Sequence, residues 1–187
     1  TQSHVVTSVA EVRKDAMAFI SPHDDSTPFF DQSSIVTDLI TFRDTTLNVN
    51  SPYAVLDSGY KYQFDGYNQK YRWVPLAADV AGICARLDSD YEAWLSPGGF
   101  TRGQVKGALK LSSNLDQDAR DTLYPKQINA VVNFPGKGTV LFGDRTLYSK
   151  TSAFQSIHIR KMFIIIEKSI QDAAKAQLFE LNTSTTR

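Results

Sequence analysis

The sequence predicts a mixed α/β (α+β) fold, a largely antiparallel sheet packed against helices in one compact domain over residues 1–187. Three observations carry this. The chain opens with a helix-like spacing, a short apolar run and a second helix-like spacing, an order that favours layers over a bundle. Its middle alternates aromatic and polar residues with period two, the mark of a half-exposed hairpin. Its last third holds a long run with a period near 3.6 residues.

Composition limits what the chain can be. Hydrophobic residues make up 42% and charged residues 21%, an ordinary globular balance. Lys plus Arg number 20 and so do Asp plus Glu. A net charge of zero argues against general nucleic-acid binding, which needs cations in excess. It gives polybasic membrane attachment no support either. No apolar run reaches the length that spans a bilayer. The single cysteine, Cys84, sits in an apolar run and reads as a buried thiol. The chain does not begin with Met, shows no signal-peptide pattern and stops on a polar run, so it reads as a piece of a longer protein.

The elements follow in order. Val5, Val6, Val9 and Val12 have helical spacing, with Arg13 and Lys14 suited to a helix C-terminus. Ala16 to Ile20 is a continuous apolar run, read as a buried strand. His23, Asp24 and Asp25 fall in a Ser/Pro-bounded loop, where solvation outweighs metal ligation because no second cluster accompanies them. A helix capped at Asp31 or Ser33 follows, with Ile35, Val36, Leu39, Ile40 and Phe42 as its core face. Tyr60, Tyr62 and Phe64 alternate with Lys61, Gln63 and Asp65, and Tyr71 and Trp73 lie on the returning strand. Interleaved aromatics and cations can bind single-stranded nucleic acid, but sheet packing is the better account of so few cations.

Pro75 suits the first turn of the next helix. Ala77, Ala78, Ala81, Gly82 and Ala85 predict a close neighbour for that helix, since Gly in a helix costs roughly 1 kcal/mol relative to Ala. Asp79 and Asp88 stand too far apart along it, about 13 Å, to share a proton. Residues 105–111 read as extended and 116–123 as a short helix capped near Asn114, ended by Tyr124-Pro125. Two strands, 128–132 and 139–142, flank Phe134-Pro135-Gly136-Lys137-Gly138. A strand follows that loop where a phosphate-binding loop requires a helix, so it is a hairpin turn. There is no nucleophile triad, metal-ligand spacing or dinucleotide pattern, and no cofactor is expected.

In the last run, Met162, Phe163, Ile166, Ile170 and Ala173 share one side of a helix at about 100° per residue. Arg160, Lys161, Glu167, Lys168, Gln171, Asp172 and Lys175 share the other, with Ile164 inside the charged arc. One reading is a core helix with a stray exposed isoleucine, and the other is a docking surface.

Several stretches together resemble the tail sheath protein of contractile-tailed bacteriophages. Arg72-Trp73-Val74-Pro75 through Ala85-Arg86, with Asp88, resembles the family's "VP…G…AR.D" helix. Trp94-Leu95-Ser96-Pro97-Gly98-Gly99 is similar to its "W.SPAG" loop, and Ile128-Asn129 to its "IN" strand start. Gly143-Asp144-Arg145-Thr146, Ile157-His158-Ile159-Arg160-Lys161 and Phe179-Glu180-Leu181-Asn182 resemble "WG.RT", "INVRR" and "FE.N". The YKYQFDGYN hairpin points to the T-even-like myovirus sheaths. Phe142 replaces a Trp and Lys161 an Arg, and Lys lacks the bidentate fork of Arg.

The resemblance implies the conserved C-terminal core of a sheath, without its outer domains or its linking arms. It implies a structural, non-enzymatic virion protein assembled in the host cytoplasm. Its partners would be copies of itself in hexameric, helically stacked rings, the tail tube protein, and baseplate and tail terminator proteins. No nucleic acid or inserted membrane is implied. One helix docks on the tube in this family, and the candidate tube-facing residues are Arg160, Lys161, Ile164, Lys168, Gln171 and Lys175. The alternatives are a sheath of a bacteriocin particle or type VI secretion system, and an α/β enzyme with its site on loops 22–30 or 96–103.

Overall fold

A computed structural model describes residues 2–23, 33–175 and 178–179. The chain runs α1 (Gln2–Arg13), β1 (Ala18–Ile20) and α2 (Ile35–Thr41), which continues as a π-helical turn, Phe42–Leu47. Next come β2 (Ala54–Asp57), β3 (Tyr60–Asp65), β4 (Lys70–Pro75) and α3 (Ala77–Asp90). Then follow β5 (Lys110–Leu111), α4 (Gln117–Leu123), β6 (Ile128–Phe134), β7 (Gly138–Phe142) and α5 (Ile157–Ala174).

The strands form two sheets. The larger has the order β1-β2-β6-β7, with β1 and β6 parallel to β2 and β7 antiparallel to β6. The smaller, β4-β3-β5, is wholly antiparallel. Antiparallel pairs therefore predominate, as expected, but the parallel pairs hold the centre. Parallel pairs suit strands buried on both faces, and all four residues of β2 are buried.

Alternation along these strands divides the core in two. Ala54, Leu56, Ile128, Ala130 and Val132 face a cluster with Leu39, Phe42 and Leu123. Val55, Val131 and Leu141 face a second cluster with Val80, Ile83, Cys84 and Leu87 of α3 and with Ile157 of α5. Helices thus cover both faces of the larger sheet, the layered arrangement the opening elements predict.

Asp57 closes the junction between the sheets. It is fully buried, and its carboxylate accepts hydrogen bonds from Ser21 Oγ (2.7 Å) and the Gly59 amide (2.8 Å). Burial pushes its pKa up to about 8, against the smaller opposing effect of those two donors.

Several local expectations change. Pro75 ends β4, a strand at the edge of its sheet where a missing N–H breaks no ladder bond. The helix begins at Ala77, whose amide donates to Ser21 Oγ at 2.8 Å. Ala78, Gly82 and Ala85 lie on the exposed side of α3, and a Cβ on Gly82 would meet nothing within 4 Å. The cap of α4 is Asp116, which accepts from the Ala119 amide at 2.9 Å, rather than Asn114. Ser34 holds the N-cap position of α2 without a side-chain capping bond, and Asp31 lies outside the described residues, as do Asp24 and Asp25. The valines of α1 share a helix as predicted but remain exposed, while Thr7 and Ala10 form its packed side.

Candidate functional site

The corner between β7 and α5 is built around one side chain. Asn129, fully buried on β6, donates from Nδ2 to the carbonyls of Leu56 (3.0 Å) and Arg145 (2.7 Å). Its Oδ1 accepts from the Arg145 amide at 2.7 Å. The chain must pass close to do this, and Gly143 permits it. A Cβ there would stand 2.7 Å from Asn129 Oδ1 and 2.9 Å from Asn129 Cα. Gly98 packs against Gly143 in turn, with its added Cβ falling 2.8 Å from the Gly143 carbonyl oxygen. Thr146 Oγ1 donates to the Phe154 carbonyl at 2.7 Å. Arg145 lies over the Tyr124 ring at 4.7 Å and donates to Gln155 Oε1 at 3.0 Å. His158 Nδ1 shares a hydrogen bond with Asp144 Oδ2, which ties the first turn of α5 to the corner. The Gly-Gly loop, the Ile-Asn start and the Gly-Asp-Arg-Thr turn, distant in sequence, are therefore one structural joint.

From this joint α5 runs outward. Ile157 is fully buried, but every residue from 165 to 175 is exposed. Eighteen residues at 1.5 Å each extend about 27 Å, so the distal half overhangs the body. Two of the candidate tube-facing residues are not on this free surface. Arg160 is 5% exposed and lies over the rings of Tyr53 (4.6 Å) and Phe154 (4.7 Å). Its Nη2 donates to Glu167 at 3.0 Å. Lys161 is 7% exposed, pairs with Asp88 at 2.8 Å and donates to the Cys84 carbonyl at 3.2 Å. The long stems of both residues bury while their charges find aromatic faces and carboxylates, which periodicity alone does not reveal. Ile164 is half-buried against the core, so it is no stray residue. Lys168, Gln171 and Lys175 are exposed.

The side read as core is also turned around. Phe163 packs edge-on against Phe154 at 5.0 Å, but Ile166, 44% exposed, and Ile170, 63%, continue its stripe uncovered among the described residues. Cys84 does match its reading, since burial raises its thiol pKa to about 12.

The loop 96–103 of the enzyme reading forms one wall of an open cleft of about 610 Å³, shared with Arg120, Tyr124 and Asp144. Arg120 is laid over Phe134 and Phe142, and Asp144 engages His158. Among the described residues, no group of three or more His, Cys, Asp or Glu side chains is placed to hold a metal ion. No described helix is long and apolar enough to cross a membrane.

Among the described residues, the far end of α5 is thus an exposed apolar patch beside a polar one, the kind of surface that commonly marks an interaction site. Comparison with known proteins gives the family. Residues 1–147 match the phage tail sheath protein central domain. Tail sheath proteins are similar along the chain: that of Vibrio phage KVP40 is 44% identical over 197 aligned positions, and that of Enterobacteria phage T4 40% over 193. Each alignment covers 100% of this chain and 29% of the relative. That of Salmonella phage ViI is 34% identical, covering 94% of this chain and 27% of its own. The chain belongs to the phage tail sheath family, and it spans under a third of the length of these relatives.

Solved structures share the fold. The sheath complex of the extracellular contractile injection system PVC, in its contracted state, has a TM-score of 0.68 at 21% identity, over 89% of this chain and 42% of its own. The anti-feeding prophage baseplate in its contracted state has a TM-score of 0.69 at 21% identity, over 98% of this chain and 48% of its own.

Proposed function

We propose that this chain is part of a structural subunit of a contractile phage tail sheath. Hexameric rings of the full-length protein stack helically around the tail tube, and their contraction drives the tube through the host envelope. The observation that carries this is 44% identity, across the whole chain, to a phage tail sheath protein. The phage relatives stand well above the injection-system structures in identity, which favours a phage tail over the alternative sheaths. Tube, baseplate and tail terminator proteins are the expected partners, and the finished sheath would be a virion component assembled in host cytoplasm.

Within this reading the exposed polar side of α5, Lys168, Gln171 and Lys175, is the part of the original set that can meet the tube. Ion pairs on an exposed surface are worth about 0–1 kcal/mol each. Such contacts suit a bond that must release on contraction, and repetition around a ring makes them firm. Electron microscopy of the full-length protein tests the function: regular hollow cylinders are expected, and persistent monomers under assembly conditions would count against it. Lys168→Glu combined with Lys175→Glu tests the tube contact. Attachment to tubes should weaken while thermal unfolding stays unchanged, and undiminished attachment would remove these residues from the interface.

A further inference from the structure

Charge in this neutral chain is not evenly spread. The smaller sheet and the segment leading into it carry Lys61, Lys70, Arg72, Lys106 and Lys110 against one acid, Asp65. Residues 88–95 carry Asp88, Asp90 and Glu92 and no cation. The two regions sit at opposite ends of α3. The hairpin joins its N-terminal end, where Lys61 pairs with Asp79 of the first turn at 2.7 Å. The acidic segment begins in its last turn. Fourteen residues at 1.5 Å each put about 21 Å between the ends.

Both ends also expose aromatic rings. At the hairpin these are Tyr67, 95% exposed, and Tyr71, 56%. At the acidic end they are Tyr91, 63%, and Trp94, 54%. Tyr and Trp supply large contact area at low entropic cost, and they are enriched where proteins meet.

The acidic end is poorly matched to its own helix. Acidic residues are unfavourable at a helix C-terminus, where the carbonyls already concentrate negative charge, and the last turn of α3 holds no basic residue. Lys161 compensates Asp88. Asp90 and Glu92 form no ion pair among the described residues, and neither do Lys70 and Lys106 at the other end. Each end therefore offers the charge that the other is missing.

We infer that the cationic aromatic hairpin of one copy docks on the acidic aromatic segment, residues 88–95, of a second copy. The inference rests on the sheath reading and gives it a subunit contact. Because the two surfaces differ, the contact is head-to-tail and propagates into an open helical array unless its rotation closes a ring. The sign of the charges sets the register, and the aromatic rings supply the buried area.

The test uses full-length protein. Cylinders assembled from a mixture of ¹⁵N-labelled and unlabelled subunits are treated with a carbodiimide, which joins amines and carboxylates only where they touch. Mass spectrometry should find Lys70 or Lys106 joined to Asp90 or Glu92 across copies. Cylinders that yield other links between copies but none of these would overturn the contact and leave the sheath function standing. Failure of the wild-type protein to form cylinders would remove both. In parallel, Lys70→Glu with Lys106→Glu should lower the assembled fraction by about tenfold at low salt. Asp90→Lys with Glu92→Lys should do the same, and the four changes in one chain should restore assembly. Wild-type assembly by both double variants would refute the contact.

Discussion

Asp57 makes the chain's stability depend on pH in an unusual direction. A carboxylate titrates near 3.9 in an unfolded chain, whereas Asp57 in the fold titrates at about 8. Between these values the folded state holds a proton that the unfolded state has released. Stability contributed by this group is therefore fully present below about pH 4 and is lost as pH rises towards 8. Urea midpoints should fall across that window, and Asp57→Asn should flatten the fall. An undiminished slope in the variant would place the effect elsewhere. Gly143 gives a second expectation. Its neighbours on Asn129 belong to a fully buried residue with both side-chain polar atoms bonded, so they cannot yield. Gly143→Ala should destabilise the domain by about 1–3 kcal/mol in denaturant titration, as overpacking does. The burial of Cys84 could be read from its apolar neighbours in sequence. That of Asp57 could not, because it depends on Ser21, 36 positions away, and on a turn that aims the Gly59 amide inward.

α5 shows what periodicity can and cannot tell. The spacing identifies the helix and says correctly which residues share a side. It does not say which side the body covers, because that depends on where the helix enters the fold. The joint at Asn129 and Gly143 sets the entry, and it turns Arg160 and Lys161 inward and Ile166 and Ile170 outward. Two opposite expectations follow. Lys161→Glu would place a carboxylate beside Asp88 and the Cys84 carbonyl, and thermal unfolding should show a loss of about 3–5 kcal/mol, the usual effect of an uncompensated buried charge. Ile166→Ser with Ile170→Ser should leave domain stability within about 0.5 kcal/mol, as at exposed positions generally, while reducing assembly of the full-length protein. A large loss of stability in that pair would mean that the domain itself uses the stripe. The hairpin of β3 and β4 was the easiest element to read, since its alternation and its Asp-Gly turn agree, and the register pairs Tyr62 with Trp73 and Phe64 with Tyr71.

The molecule is assembled from pieces far apart in the chain, and this limits what local patterns reveal. β2 and β6 pair in parallel, and Asn129 bonds the carbonyl of Leu56, 73 positions earlier. β6 is legible alone as an apolar run, but β2 is not among the strands read from the sequence, and their pairing is not local either, because a parallel partner is fixed by crossover packing rather than by a turn. The same connectivity imposes a timetable. Chains fold as they are made, from the N-terminal end, and the larger sheet cannot close before β6 and β7 have left the ribosome. The helix with the uncovered stripe comes only after them. A nascent subunit therefore has its whole central sheet in hand before it acquires the helix that both closes the interior, through Ile157, and carries the exposed stripe.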